Sequence, residues 1–191
     1  MTEQPTRTGI TAARLEALKA TAFTRAAVLV SLHDRMDGRM WLRLVGELWA
    51  TTEGDKREVV RLMRPFDDWQ PMMQRSEVRV WRALPDWFHA WRGCYAGFNE
   101  EGPSYTTDRD AARAYPFVAR YRMAGLMPVL RCVWISREDC IVKMDHGRAE
   151  VLARVANEWH RVSLEVSPEP GGFSLCTGQV ELQIDMPGAA P

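Results

Sequence analysis

Apolar side chains recur at spacings of three and four along roughly the first eighty residues, the period of helices buried on one face. Leu15, Leu18, Ala22, Ala26 and Leu29 follow this spacing, and Trp41, Leu44, Val45, Leu48 and Trp49 form a cleaner stripe. Asp55 and Glu58 resemble a capping pair ahead of Val59, Val60 and Met63, and Pro65 ends that helix. Met72, Met73, Val80 and Leu84 predict a fourth helix between about Pro71 and Ala83. The tryptophans and methionines of these stripes read as core packing.

The pattern changes at Leu84-Pro85-Asp86, a turn signal. Trp87 to Arg92 then reads as a strand, followed by a loop holding Gly93, Gly97, Gly102 and Pro103. Thr107 is placed to cap a helix starting at Asp108, with Asp110 near its positive end, and Pro116 breaks that helix. Pro128 to Ile135 is rich in Val, Ile, Leu and Trp and predicts a strong strand. Cys140 to Lys143, Glu150 to Val155 and Trp159 to Val166 predict three more. Phe173 to Thr177 and Val180 to Asp185 predict a hairpin around Gly178-Gln179, and Pro187 to Pro191 reads as a frayed tail. Helices followed by strands with a helical insert predict an α+β fold rather than a doubly wound parallel sheet.

Composition narrows the function only by exclusion. The 191 residues are 46% hydrophobic and 26% charged, which suits a globular chain and excludes disorder as its main state. Lys plus Arg and Asp plus Glu number 25 each, so a broad nucleic-acid or membrane-binding surface is not expected. The four cysteines, Cys94, Cys132, Cys140 and Cys176, have neither zinc nor redox spacing and read as reduced core thiols. The polar start MTEQPTRTG has no signal-peptide core, and no run of about 18 apolar residues occurs, so the expectation is a cytoplasmic protein, or one made in the cytoplasm of a host cell.

Candidate chemistry lies between residues 87 and 155. Arg92-Gly93 ends a strand, Ser104-Tyr105-Thr106-Thr107-Asp108 precedes a helix, and Arg148-Ala149-Glu150-Val151-Leu152 opens an apolar strand. Singly, these read as a solvated edge arginine, a helix cap and a surface acid. In this order, LPDWFHAWRG, GPSYTTDRDAA, a strand and then GRAEVLA resemble the ADP-ribosyltransferase fold of the arginine–serine–glutamate class, in particular its small phage and bacterial members. The resemblance covers residues 84 to 155. It implies a split β-sheet core spanning 84–186, preceded by a helical region over 1–83 and followed by a tail over 187–191.

The resemblance further implies that NAD is the substrate, bound in a cleft between two small sheets without a metal, with ADP-ribose passed to an acceptor that the sequence leaves open, a protein being one candidate. Arg92 would hold a phosphate or the adjoining ribose through charge-assisted hydrogen bonds. Gly93 would let the backbone approach the nicotinamide amide. Ser104 and Thr106 would brace the cleft and position the glutamate, and Tyr105 or Phe98 would stack on the nicotinamide ring. Glu150 would be the catalytic carboxylate, stabilising positive oxocarbenium character as the nicotinamide–ribose bond breaks. An NAD glycohydrolase and an inactive binding protein of the same fold are the alternatives.

Two positions depart from the family pattern. Arg148 stands where arginine-modifying members carry Glu or Gln, which favours water or another nucleophile as acceptor. Pro116 interrupts the helix behind the site. Elsewhere, His33, His89, His146 and His160 lack metal spacing, and Asp67-Asp68 sit at a helix start. Cys94 has no assignable His partner, and the glycines form neither a P-loop nor a dinucleotide fingerprint.

Overall fold

A computed structural model of the chain describes residues 9–118, 122–145, 148–155 and 157–164. His146, Cys176, the hairpin expected over 173–185 and the tail lie outside them.

Among the described residues, six helices and six strands run α1 (Ile10–Lys19), α2 (Arg25–Leu32), α3 (Gly38–Leu48), α4 (Arg57–Met63), α5 (Arg75–Arg82), β1 (Trp87–Tyr95), β2 (Ser104–Tyr105), α6 (Arg109–Ala114), β3 (Pro128–Ser136), β4 (Cys140–Asp145), β5 (Arg148–Ala153) and β6 (Asn157–Ser163). The fold is α+β, with two antiparallel three-stranded sheets ordered β1-β3-β6 and β2-β5-β4. We call them the first and second sheets.

The stripe on α3 is buried as its periodicity requires: Trp41, Leu44, Val45, Leu48 and Trp49 all lie in the helical core. Alpha1 differs. Leu15 and Leu18 are exposed, and Ala13 and Ala17 face the core instead. The small alanines let neighbouring helices approach, and buried Arg25 closes the corner between α1 and α2. Its guanidinium donates to the carbonyls of Ala17, Ala20 and Thr51 and to the Thr51 hydroxyl, so its burial leaves few donors unsatisfied. The fourth expected helix starts later, at Arg75. A short 3₁₀ turn over Gln70–Met72 precedes it, and Gln74 with Glu77 forms its capping box.

The second sheet has two buried faces. Alternation along β4 and β5 sends Ile141 and Leu152 into the helical core, and Cys140, Val151 and Ala153 toward the first sheet. There they meet Phe88, Ala90, Val133 and Ile135, together with Tyr105. Helices 1–5 therefore cover one face of the second sheet while the first sheet covers the other. Residues 104–106 tie the sheets together. Ser104 and Tyr105 pair with Leu152 and Val151 of β5, whereas Thr106 exchanges backbone hydrogen bonds with Trp91 of β1.

Behind β1, α6 packs against Gly93. A Cβ there would lie 2.0 Å from the Ala112 carbonyl oxygen and 2.7 Å from Pro116 Cδ. The cap of α6 is Asp108, one residue later than expected, and its carboxylate accepts the Asp110 and Ala111 amides. Pro116 ends the helix in a 3₁₀ turn over Tyr115–Phe117, as its missing N–H dictates. Among the described residues, no helix is long and apolar enough to cross a membrane.

Candidate functional site

Pairing in the second sheet places Glu150 opposite Lys143. Residues directly opposed in an antiparallel pair project to the same face, so both side chains face the helical layer. Their surroundings then differ. Lys143 is sealed, 2% exposed, and donates to Glu77 Oε2 at 2.7 Å and to the Met72 carbonyl at 3.0 Å. Glu77 also accepts the Gln74 amide at 2.7 Å and the Met144 amide at 2.9 Å. This pair is fully engaged and fastens α5 to β4.

Glu150 is half-buried, and among the described residues no cation pairs with it. Its Oε1 accepts a short hydrogen bond from the Ser104 hydroxyl, and its Oε2 accepts the Trp49 indole N–H at 3.1 Å. Trp49 immediately follows α3, and Lys56 fixes it in turn. The Lys56 ammonium lies 4.4 Å from the indole ring centroid and donates to the Trp49 carbonyl at 2.9 Å.

Arg92 reaches the same place from the first sheet. Its Nη1 donates to the Ser104 carbonyl at 2.6 Å. Its Nε and Nη2 donate to the Asn99 carbonyl at 3.0 and 2.8 Å, and Nη2 also donates to Asn99 Oδ1 at 2.7 Å. Ser104 thus touches both other members, its carbonyl held by Arg92 and its hydroxyl bound to Glu150. The three residues singled out in the sequence form one hydrogen-bonded chain at the seam between the sheets.

The accompanying residues are placed differently. Thr106 Oγ1 accepts the Asp108 amide at 3.1 Å, so this hydroxyl shapes the turn into α6. Tyr105 is buried in the core between the sheets, whereas Phe98 is 48% exposed in the adjoining loop. Gly93 is buried, and its missing side chain provides the space that Ala112 and Pro116 fill. Trp49 is the neighbour that the sequence pattern did not single out for chemistry. It belongs to an ordinary core stripe and lies 101 positions from the carboxylate it binds.

Other chemistry is less favoured. Burial pushes the Cys94 and Cys132 thiols up and the Cys140 thiol to about 12, which opposes thiolate formation at neutral pH. Burial pushes the His89 imidazole down, and its ring lies 4.3 Å from Trp134. A surface cavity of about 670 Å³ lies between α3 and residues 71–75, lined by Arg39, Met40, Arg43, Met73 and Arg75 among others. Arg92, Ser104 and Glu150 do not line it. No protein-family model, curated protein or solved structure matches the chain.

Proposed function

We propose that the chain cleaves the nicotinamide–ribose bond of NAD and transfers ADP-ribose to an acceptor, using an ADP-ribosyltransferase-like site at the seam of its two sheets. The observation that carries this reading is the Arg92–Ser104–Glu150 chain, in which a half-buried carboxylate is held at both oxygens by neutral donors. Neutral donors leave the negative charge uncancelled while fixing its direction. That suits a group meant to stabilise positive charge appearing nearby.

In this reading Glu150 faces the ribose. As the glycosidic bond breaks, its electron pair leaves with nicotinamide and cationic character builds on the ribose, as in glycoside cleavage. Glu150 stabilises that cation electrostatically and can accept a hydrogen bond from a ribose hydroxyl. Ser104 and Trp49 hold the carboxylate in one orientation, which avoids reorganisation during the reaction. Arg92 supplies a fork of donors for a phosphate or the ribose once its loop contacts are exchanged for substrate. Phe98 is the exposed ring available for stacking. Arg148, two residues before Glu150, favours water or a nucleophile other than arginine as acceptor. Substrate and site both belong in the cytoplasm in this reading, since NAD is an intracellular metabolite.

The test follows nicotinamide release from labelled NAD by the full chain and by Glu150→Gln. Loss of one preorganised electrostatic group costs about 10²–10³ in rate. The expected outcome is release by the wild type and a fall of that size in the variant, with unfolding stability changed by about 1 kcal/mol or less. Absence of release, with no labelled acceptor in any lysate, would sink the reading and leave an inactive binding protein of this fold.

A further inference from the structure

The register of the first sheet lines up three arginines. Arg92 of β1 pairs with Arg131 of β3, and Arg131 pairs with Arg161 of β6. Directly opposed residues project to one face, so the three side chains form a row across the sheet. Strands lie about 4.8 Å apart, which gives the row a length of about 10 Å. Like charges directly opposite one another destabilise an antiparallel pair. This sheet does so twice in succession.

The loop after β1 folds over the row. Arg92 donates to the Asn99 carbonyl, Arg131 to the Glu100 carbonyl, and Arg161 to the Glu100 carboxylate at 2.5 Å. The three guanidinium groups therefore converge on the Asn99-Glu100 dipeptide. Asn99 adopts a left-handed backbone with φ 59°, and Gly97 does so with φ 71°, so the loop is a tight reversal that aims its carbonyls at the arginines. Among the described contacts, the Glu100 carboxylate, the Asn99 side-chain oxygen and the Asn99 and Glu100 carbonyls face the three guanidinium groups. The row starts at Arg92, whose other contact is the Ser104 carbonyl, beside Glu150.

We propose that Arg92, Arg131 and Arg161 form a binding row for the diphosphate group of the substrate, and that Glu100 and the neighbouring carbonyls occupy the row until the diphosphate displaces them. The assignment of the ligand rests on the NAD reading above. The chemistry itself is local: planar guanidinium forks match phosphate oxygens, and a row two strand spacings long suits two linked phosphates better than one. A nucleic-acid tract would need basic residues spread over a longer surface, and the chain is neutral overall. Glu100 acts as an internal stand-in for the anion. Its removal leaves the row open and more strongly positive.

The experiment titrates inorganic pyrophosphate and orthophosphate into the full chain by calorimetry, for the wild type, Arg161→Gln and Glu100→Gln. Arg161 and Glu100 lie in the outer part of the row, so neither change opens the core. The expected result is that pyrophosphate binds more tightly than orthophosphate, that Arg161→Gln weakens it about tenfold, and that Glu100→Gln strengthens it severalfold. In NAD cleavage, Arg161→Gln should raise KM about tenfold with kcat within about twofold. Pyrophosphate affinity unchanged in both variants, or no preference over orthophosphate, would overturn the row. Pyrophosphate binding that follows the expected order without any NAD cleavage supports the row and overturns the NAD reading. NAD cleavage with KM unchanged in Arg161→Gln overturns the row and leaves the NAD reading standing.

Discussion

Lys143 and Glu150 sit opposite one another on adjacent strands and face the same helical layer, yet they occupy different kinds of site. Around Lys143 the charge is cancelled: Glu77 lies 2.7 Å away, and both partners are almost fully buried. Around Glu150 the described partners hold the charge without an opposite one. Its partners are a hydroxyl and an indole N–H, and the side chain remains half-buried. The difference follows from what the helical layer presents. The segment around Met72 and Glu77 offers an acid and a carbonyl, so it seals a cation. The end of α3 offers Trp49, an amphipathic ring that packs in the core while directing its one donor at the acid. One centre ties the layers together, and in the proposed reading the other holds its negative charge for use at a ligand.

The comparison can be broken most severely at Lys143. Lys143→Met leaves Glu77 buried without its cation and should cost about 3–5 kcal/mol in urea unfolding. Adding Glu77→Gln removes the uncompensated charge and should recover more than half of that loss. A cost under 1 kcal/mol for the single change would show that the pair is not a fastening.

Gly93→Ala presses on β1 from behind, away from both centres. Its Cβ would meet the Ala112 carbonyl, so α6 or β1 must shift, at a cost of about 1–3 kcal/mol. Because Arg92 is the preceding residue, nicotinamide release should fall along with thermal stability. Full activity in a destabilised variant would uncouple Arg92 from this packing.

Trp49→Phe keeps an aromatic ring and deletes the donor to Glu150. Hydrogen bonds to charged groups contribute about 1.5 kcal/mol, so nicotinamide release should drop roughly tenfold. The drop should appear mainly in kcat, because the lost contact orients the carboxylate rather than binding substrate. A change in KM alone would contradict that role.

The smallest effect is expected at His89, which belongs to neither centre. Burial holds its imidazole below the usual value of 6.5, so the unfolded chain binds more protons at this residue than the fold does. Stability should therefore decline as pH falls through about 6.5 and be unaffected by this group well above it. Urea midpoints between about pH 7.5 and 5.5 check this, and His89→Gln should flatten the decline.

Local pattern carried much of this molecule. The stripe on α3, the strand from Pro128, the break at Pro116 and the order of the Arg, Ser and Glu segments were readable, because each depends on residues a few positions apart. Alpha1 was misread on its face, since Leu15 and Leu18 share a spacing with the core positions but alanines fill the narrow gap between helices. The seam itself was not readable. Ser104 switches its segment from β5 to β1 within three residues, which depends on pairings made 15 and 48 positions away.

The sequence by itself determined most of the element types, the α+β order and the three residues proposed for chemistry, because propensity, periodicity and side-chain identity are local. Only the tertiary structure decided which partners the polar groups meet. Trp49 reaches Glu150 across 101 positions, Lys143 meets Glu77 across 66, and three arginines align only when β1, β3 and β6 take their register. Those pairings arise when apolar faces are buried together. The same burial fixes the polar residues that share the faces, so their chemistry is a consequence of packing that no short stretch of chain specifies.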